Sequence, residues 1–282
     1  MTGETRWQRW FVYGKLRFIG QPLYTSMIAA ELVAARALDD LRPRRKPNDQ
    51  SPILENLTAI IKTFERPKIL RRLLASIKRL YPELKIIVAD DSRQPIELDD
   101  VQVIALPYDS GIAAGRNAGL KQAATKYVLI LDDDFVFYRA TQLESALLTM
   151  EQHSEIDIMG GEVIYLPLFK KLGYRHEFIF PTEALPTQLP GSRIAGLPVY
   201  DKVPNFFIAR AERLQIVGWD PNLKKLEHAD FFTRAKGVLT TVFNAELKCL
   251  HARTPFDSAY MQHRNDIASS EAILDEKYGK NQ

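Results

Sequence analysis

The stretch KYVLILDDDFVF, residues 126–137, decides the fold. Its apolar run Tyr127-Val128-Leu129-Ile130-Leu131 is rich in β-branched and leucine side chains and does not alternate with polar ones, which is the pattern of a parallel strand buried on both faces. Asp132, Asp133 and Asp134 follow directly, so they emerge together at the carboxyl end of that strand, where open α/β sheets bind ligands. Three adjacent carboxylates repel one another. A hard divalent cation such as Mg²⁺ or Mn²⁺, shared with substrate phosphates, relieves that repulsion. A solvated acidic turn is the plainer alternative, because Asp is common in turns.

Outward from this strand the pattern alternates. A strand is expected over residues 57–61 and a helix over 67–80, with Ile69, Leu70, Leu73, Leu74, Ile77 and Leu80 at helical spacing. Pro67 suits the first turn of that helix, where a missing N–H does no harm. A strand over 84–89 ends in Asp90-Asp91-Ser92, another covers 101–106, and helices are expected over 111–124 and 141–152. Strands alternating with helices imply right-handed crossovers and a mainly parallel sheet. The fold class is therefore α/β, with a central sheet flanked by helices and negative charge gathered at its carboxyl edge. The second half is less periodic. Residues 156–165 read as a strand with Gly160-Gly161 as a bulge or close approach, and 166–202 as an irregular, Pro- and Gly-containing insertion of the kind that shapes binding sites. VPNFFIAR, residues 203–210, resumes a strand, a short helix runs to Val217, and Gly218-Trp219-Asp220-Pro221 turns the chain.

Composition narrows the function classes. With 46% hydrophobic and 26% charged residues, a chain of 282 residues can bury a sizeable core. The first 50 residues hold nine Lys or Arg against five Asp or Glu, so the remainder is close to neutral and does not have the footprint of a nucleic-acid binder. Cys249 is the single cysteine, which excludes an intrachain disulfide and suits a reducing compartment. No Cys/His cluster points to zinc, and no stretch has the length and apolarity of a membrane span or a secretory signal. A cytoplasmic protein is expected, soluble or peripheral at the inner face of a membrane.

Three segments are expected: an aromatic and basic helical extension with linker over 1–50, a catalytic domain over 51–265, and a tail over 266–282. In the extension, Trp7, Trp10, Phe11, Tyr13 and Phe18 interleave with Arg6, Arg9, Lys15 and Arg17, a mixture suited to a membrane interface. Residues 23–41 read as an Ala- and Leu-rich helix that docks on the protein or lies on a membrane, and RPRRKPNDQSP, 42–52, as a linker.

No GxxxxGK[ST] or GxGxxG is present. GIAAGRNAG, residues 111–119, reads either as small residues packing a helix start on the sheet or as a placement of Arg116 and Asn117 near a nucleotide. The series KTFERP at 62–67, ADDS at 89–92, AGRNAGL at 114–120, KYVLILDDDFVF, VPNFFIAR, VGWDPNLKKLEHADFF at 217–232 and LHA at 250–252 resembles glycosyltransferase family 2 in its broad sense. Within it, the chain is most similar to the ganglioside-type β-1,4-N-acetylgalactosaminyltransferases and their bacterial relatives. The resemblance implies a GT-A fold, an inverting mechanism, a UDP-sugar donor (plausibly a UDP-N-acetylhexosamine), a glycan or glycolipid acceptor and a divalent metal cation, Mn²⁺ or Mg²⁺.

Carried over by position, the resemblance puts Thr63, Phe64 and Arg66 at the nucleotide, with Asp91 accepting from uracil beside Asp90. The acid triplet becomes the DxD motif, Asp134 the principal metal ligand, Asp132 and Asp133 the holders of ribose and helpers of the cation, and His251 a further metal or diphosphate ligand. Asp230 in EHADFF matches the general base, with Glu227 one helical turn earlier as the competing carboxylate and His228 beside it. Asn205, Phe206 and Phe207 would floor the sugar pocket, the two phenylalanines being otherwise ordinary strand core. Family members acting on gangliosides carry a membrane anchor and several cysteines. This chain shows neither, so a bacterial polysaccharide or lipid-linked precursor is the expected acceptor. A nucleotidyltransferase, and a catalytically silent glycan-binding subunit of the same fold, are the competing functions.

Overall fold

The computed structural model describes residues 14–41, 52–171 and 179–279. Arg6, Trp7, Arg9, Trp10, Phe11 and Tyr13, nearly all of the linker and part of the 166–202 insertion lie outside the described residues. The chain begins with helix α1 (Arg17–Asp40), six residues longer at its start than the sequence pattern indicates, with Pro22 within its first turns. A short 3₁₀ turn, Pro52–Asn56, leads into β1 (Leu57–Thr63), α2 (Pro67–Leu80), β2 (Lys85–Asp90), β3 (Gln102–Ala105), α3 (Ile112–Gln122) and β4 (Tyr127–Asp132). These four strands pair in parallel in the order β3-β2-β1-β4, with Ile60 of β1 level with Ile87 of β2 and Ile130 of β4.

Beyond β4 the sheet becomes mixed. β5 (Phe135–Val136), α4 (Leu143–Gln152), β6 (Ile158–Tyr165), β7 (Lys170–Lys171), the hairpin β8 (Arg193–Ile194) and β9 (Leu197–Pro198), β10 (Phe207–Arg210), α5 (Ala211–Val217), α6 (Glu227–Ala235) and β11 (Thr241–His251) follow in that order. The main sheet has nine strands, ordered β3-β2-β1-β4-β10-β6-β11-β5 with β7 beside β6. β10 runs antiparallel to both β4 and β6, whereas β11 returns parallel to β6. Helix α7 (Ser258–Asn265) follows at the end of the segment expected as the catalytic domain, and helix α8 (Ala268–Tyr278) occupies the segment expected as a tail.

The unbroken apolar reading of β1 and β4 follows from burial on both faces. Leu57, Ile61, Leu129 and Leu131 pack with Leu70, Leu73 and Ile77 of α2, while Ile60, Val128 and Ile130 pack on the opposite side with Phe207 and Phe231. Small residues bring α3 close to β1: a Cβ on Gly119 would lie 2.4 Å from Ile60 Cγ2. This is the packing alternative for GIAAGRNAG. α1 also docks, through Ile28 and Ala35 against Ile164, Leu166, Leu250 and Ala252, and buried Asp39 accepts from Arg79 at 2.6 Å and from the Arg139 N–H at 2.8 Å. Among the described residues no helix is long and apolar enough to cross a membrane.

Gly160-Gly161 serves close approach, and the bulge lies in the partner strand, between Asn244 and Lys248 of β11. A Cβ on Gly161 would lie 2.5 Å from the Leu247 carbonyl oxygen and 2.5 Å from Phe206 Cε1. Backbone cannot yield as a flexible side chain does. Gly161→Ala should therefore cost about 1–3 kcal/mol, as overpacking of a filled interior does. Differential scanning calorimetry should show a Tm lower by several degrees, at roughly 2–4 °C per kcal/mol for a domain of this size.

Candidate functional site

The carboxyl ends of β1 and β4 open into a cleft of about 300 Å³ whose lining includes Phe64, Arg66, the acid triplet, Asn205, Glu227 and His251. The triplet does not act as one unit, because each carboxylate turns to a different partner. Asp132, whose side chain remains 36% exposed, takes a 2.9 Å ion pair from Arg116 on α3. Asp133 accepts from Thr63 Oγ1 at 2.8 Å and pairs with Arg66, immediately before α2. Asp134 lies 3.0 Å from His251 Nε2 at the end of β11 and 3.4 Å from Arg66.

These partners set the charges. Burial works against ionised Asp134, but the neighbouring charge and hydrogen bond of His251, with Arg66 behind them, outweigh it and hold its carboxyl well below the usual range. Asp133 goes the other way: burial dominates over Arg66, and the Asp134 charge adds to it, so its carboxyl is pushed up to about 6. Burial also opposes the charge of Arg66, yet Asp133 and Asp134 keep its guanidinium firmly protonated. The repulsion expected within the triplet is thus met by partners drawn from three elements, Arg116, Arg66 and His251.

The opposite wall is the start of α6. Leu226 stands at φ 60°, a left-handed conformation uncommon for leucine, and the next residue, Glu227, lines the cleft. Its Oε1 accepts from Arg116 at 2.6 Å, so one buried guanidinium bridges Glu227 and Asp132. Burial raises the Glu227 pKa, with the Asp132 charge adding to the rise and Arg116 opposing it. His228 is held neutral by burial and by the charges of Lys202 and Arg116.

Asp230 does not line this cleft. It is fully buried, and its carboxylate accepts from Arg234 at 2.9 Å, Lys277 at 2.6 Å and the Tyr278 hydroxyl at 2.8 Å. Of the two carboxylates expected as candidates for the base, Glu227 faces the cleft and Asp230 is covered; helical spacing put both on one face but could not show which the C-terminal helix covers. Asp90, Asp91 and Asn117 likewise stand behind the cleft. Asp90 accepts from the N–H groups of Ser92 and Ile96, and Asp91 from Lys62 and the Gly111 N–H. Asn117 clasps the backbone of Trp219 in both directions, 2.7 Å to its carbonyl and 2.9 Å from its N–H.

Phe64 faces the cleft, but His263 of α7 stacks on its ring at 4.2 Å. Tyr260, one turn earlier, lies under Arg66 at 3.8 Å. Helix α7 and the residue after its turn therefore supply Tyr260, His263, Arg264 and Ile267 to the lining, and Lys62, Lys224 and Lys225 join them. The sequence held one signal for this: Tyr260 and His263 at helical spacing, an aromatic and a basic residue on one face.

Asp134 and His251 come together as a two-donor pair, whereas Asp132 is turned to Arg116. Among the described residues no group of three or more His, Cys, Asp or Glu is gathered to hold a metal ion. A carboxylate and an imidazole nevertheless suit a hard cation that draws its other oxygens from a bound diphosphate. Buried His251 Nδ1 and Asn205 Oδ1, both in lining residues, have no hydrogen-bond partner, as expected of groups that meet a ligand.

Arg116→Ala should leave Glu227 buried without a counter-charge. Removing one partner of a buried pair costs about 3–5 kcal/mol, so urea denaturation should show that loss in unfolding free energy. An unchanged midpoint would mean that Glu227 does not depend on Arg116.

Known proteins resemble this chain in sequence and in fold. Residues 58–215 match glycosyl transferase family 2. Beta-1,4 N-acetylgalactosaminyltransferase 2 of Mus musculus is 37% identical over 203 residues, covering 68% of this chain and 38% of that protein. Beta-1,4 N-acetylgalactosaminyltransferase 1 of Rattus norvegicus is 35% identical over 210 residues, covering 65% and 36%. The chain thus spans well under half the length of these relatives. A crystal structure of S. aureus TarS in complex with UDP superposes with a TM-score of 0.51 at 20% identity, covering 78% of this chain and 70% of that one, a likeness of fold.

Proposed function

The chain belongs to glycosyl transferase family 2, and we propose that it moves a sugar from a UDP-linked donor to a hydroxyl of a glycan or glycolipid acceptor, with inversion at the anomeric carbon. The observation that carries this reading is the buried carboxylate of Glu227, bridged by Arg116 to Asp132 across the cleft from Asp134 and His251. One carboxylate suffices for an inverting transfer: it takes the proton from the acceptor hydroxyl as that oxygen attacks from the face opposite the leaving diphosphate.

In this reading Glu227 is the base and Arg116 fixes its direction. Phe64 and Thr63 flank the nucleotide, while Asp90 and Asp91 shape the loop behind it rather than meeting the uracil. Asp134 and His251 would hold a Mn²⁺ or Mg²⁺ ion, which when bound neutralises the diphosphate leaving group. Arg66 and Lys225 add fixed positive charge to the same region, and Asp132 and Asp133 are held in place by Arg116, Thr63 and Arg66. The names of the mouse and rat relatives support an N-acetylhexosamine as the transferred sugar, and the unpartnered Asn205 Oδ1 is a fitting acceptor for its amide N–H. A nucleotidyltransferase would leave the Glu227–Arg116 bridge without a task.

Glu227→Gln should lower turnover by about 10²- to 10⁴-fold, the usual contribution of a positioned base, with UDP-sugar affinity retained. The working form is the anion, and burial keeps the proton on Glu227 above the ordinary Glu range, so kcat/KM should rise with pH along an acid limb displaced upward from that range. The limb should vanish from the residual activity of Glu227→Gln. Asp134→Asn, by contrast, should weaken UDP binding and remove its dependence on Mn²⁺ in calorimetry. A Glu227→Gln enzyme that turns over normally would transfer the base role elsewhere.

The acceptor reading extends to location, at the cytoplasmic face of a membrane. Phe18, Ile19, Leu23, Val33 and Leu41 are exposed on or beside α1, next in sequence to the interleaved aromatic and basic residues, a surface suited to the headgroup region of anionic lipid. The full chain should co-sediment with phosphatidylglycerol vesicles and lose that association in 0.5 M salt or when Phe18 and Ile19 become Ser. Equal sedimentation of the Phe18→Ser/Ile19→Ser variant would refute lipid contact there.

A further inference from the structure

A second chamber, of about 650 Å³, lies beside the cleft and shares Leu226 and His228 with it. Its volume is within the range of small-molecule sites, about 300–1,000 Å³. Phe180, Leu226 and Leu274 give it apolar surface, and Glu271 and Asp275, both exposed on α8, give it carboxylates. Glu227 sits between Leu226 and His228 in sequence, so the residue proposed as base stands at the partition between the two spaces.

We propose that this chamber binds the acceptor as an uncharged sugar, with a pyranose ring against Leu226, Leu274 and Phe180 and its hydroxyls donating to Glu271 and Asp275. The inference rests on the donor reading of the neighbouring cleft and assigns the chemical class of the second substrate. Charge favours a neutral ring. Of the ionisable groups in the lining, Glu271 and Asp275 are acidic, Lys202 is basic and His228 is held neutral, so an anionic sugar meets a net negative wall.

The same geometry gives Asp230 a task. Lys277 and Tyr278 of α8 both reach its buried carboxylate, Lys277 also binds Asp220 at 2.7 Å, and the Tyr278 ring stacks on Phe180 at 4.3 Å with an interplanar angle of 1°. Ser270 at the other end of the helix accepts from the Lys225 N–H at 3.3 Å. Asp230 is thus a positioning residue: it fixes the helix that carries Glu271, Leu274 and Asp275, and it need not touch substrate.

Saturation-transfer NMR in the presence of saturating UDP and Mn²⁺ tests this with two probes, neutral p-nitrophenyl β-galactoside and anionic p-nitrophenyl β-glucuronide. The wild-type chain should bind the galactoside and bind the glucuronide at least fivefold more weakly. Glu271→Ala/Asp275→Ala, two changes at exposed positions, should weaken the galactoside at least fivefold and erase the discrimination, with the UDP Kd from calorimetry within twofold of wild type. Asp230→Asn should weaken the galactoside without altering UDP affinity, a split that a general loss of folding would not give. Galactoside binding unchanged in the double variant, tighter binding of the glucuronide by wild type, or no transfer from either probe while UDP binds would overturn the acceptor inference alone. Failure of wild type to bind UDP would overturn the donor reading and this inference with it.

Discussion

Three successive carboxylates at the end of a strand buried on both faces demand compensation, and the arrangement around the cleft follows from how it is supplied. Arg116 comes from α3, Arg66 from the approach to α2, and His251 from the end of β11. Each partner fixes the element that carries it against the edge of β4. Leaving any one out would strand a carboxylate in a buried setting, where the cost of an unpaired charge exceeds that of most single contacts. Electrostatic demand at one point thus determines how elements distant in sequence converge.

The same demand explains the opposing directions at adjacent positions. Asp134 gains enough from His251 and Arg66 to remain anionic, while Asp133, with burial prevailing over Arg66, holds its proton up to about 6. Arg116 extends the network across the cleft to Glu227, so the acid edge of the sheet and the start of α6 share one guanidinium. A base proposed at Glu227 is then oriented by the same group that restrains Asp132. The C-terminal helices close the arrangement, α7 over Phe64 and Arg66 and α8 onto Asp230.

The parallel half of the sheet was legible because its signals are local. Continuous apolar runs mark β1 and β4, period and Pro67 mark α2 to the residue, and small residues in α3 mark its closeness to β1. The mixed half was harder, since β10 antiparallel between β4 and β6 depends on pairing partners far apart in sequence. At the site, position in a motif identified the acids but not their directions. Asp230 and Glu227 lie three residues apart on one helix, and only the docking of Lys277 and Tyr278 separates the covered acid from the one facing the cleft. The surroundings of Asp90 and Asp91 were equally hidden: their oxygens accept from backbone N–H groups and Lys62, contacts invisible in ADDS alone. The tail resisted reading because α8 has little amphipathic pattern and is held by a few specific contacts.

We propose that the cleft bounded by Phe64, the acid triplet and Glu227 receives the nucleotide diphosphate of the donor. Difference electron density from a crystal of this protein grown with UDP and Mn²⁺ tests it most directly. Density for the nucleotide is expected within that cleft, with the diphosphate beside Asp134 and His251 and the base near Phe64. Density for UDP at another surface, with Asp134 still paired to His251 and the cleft holding only solvent, would contradict it.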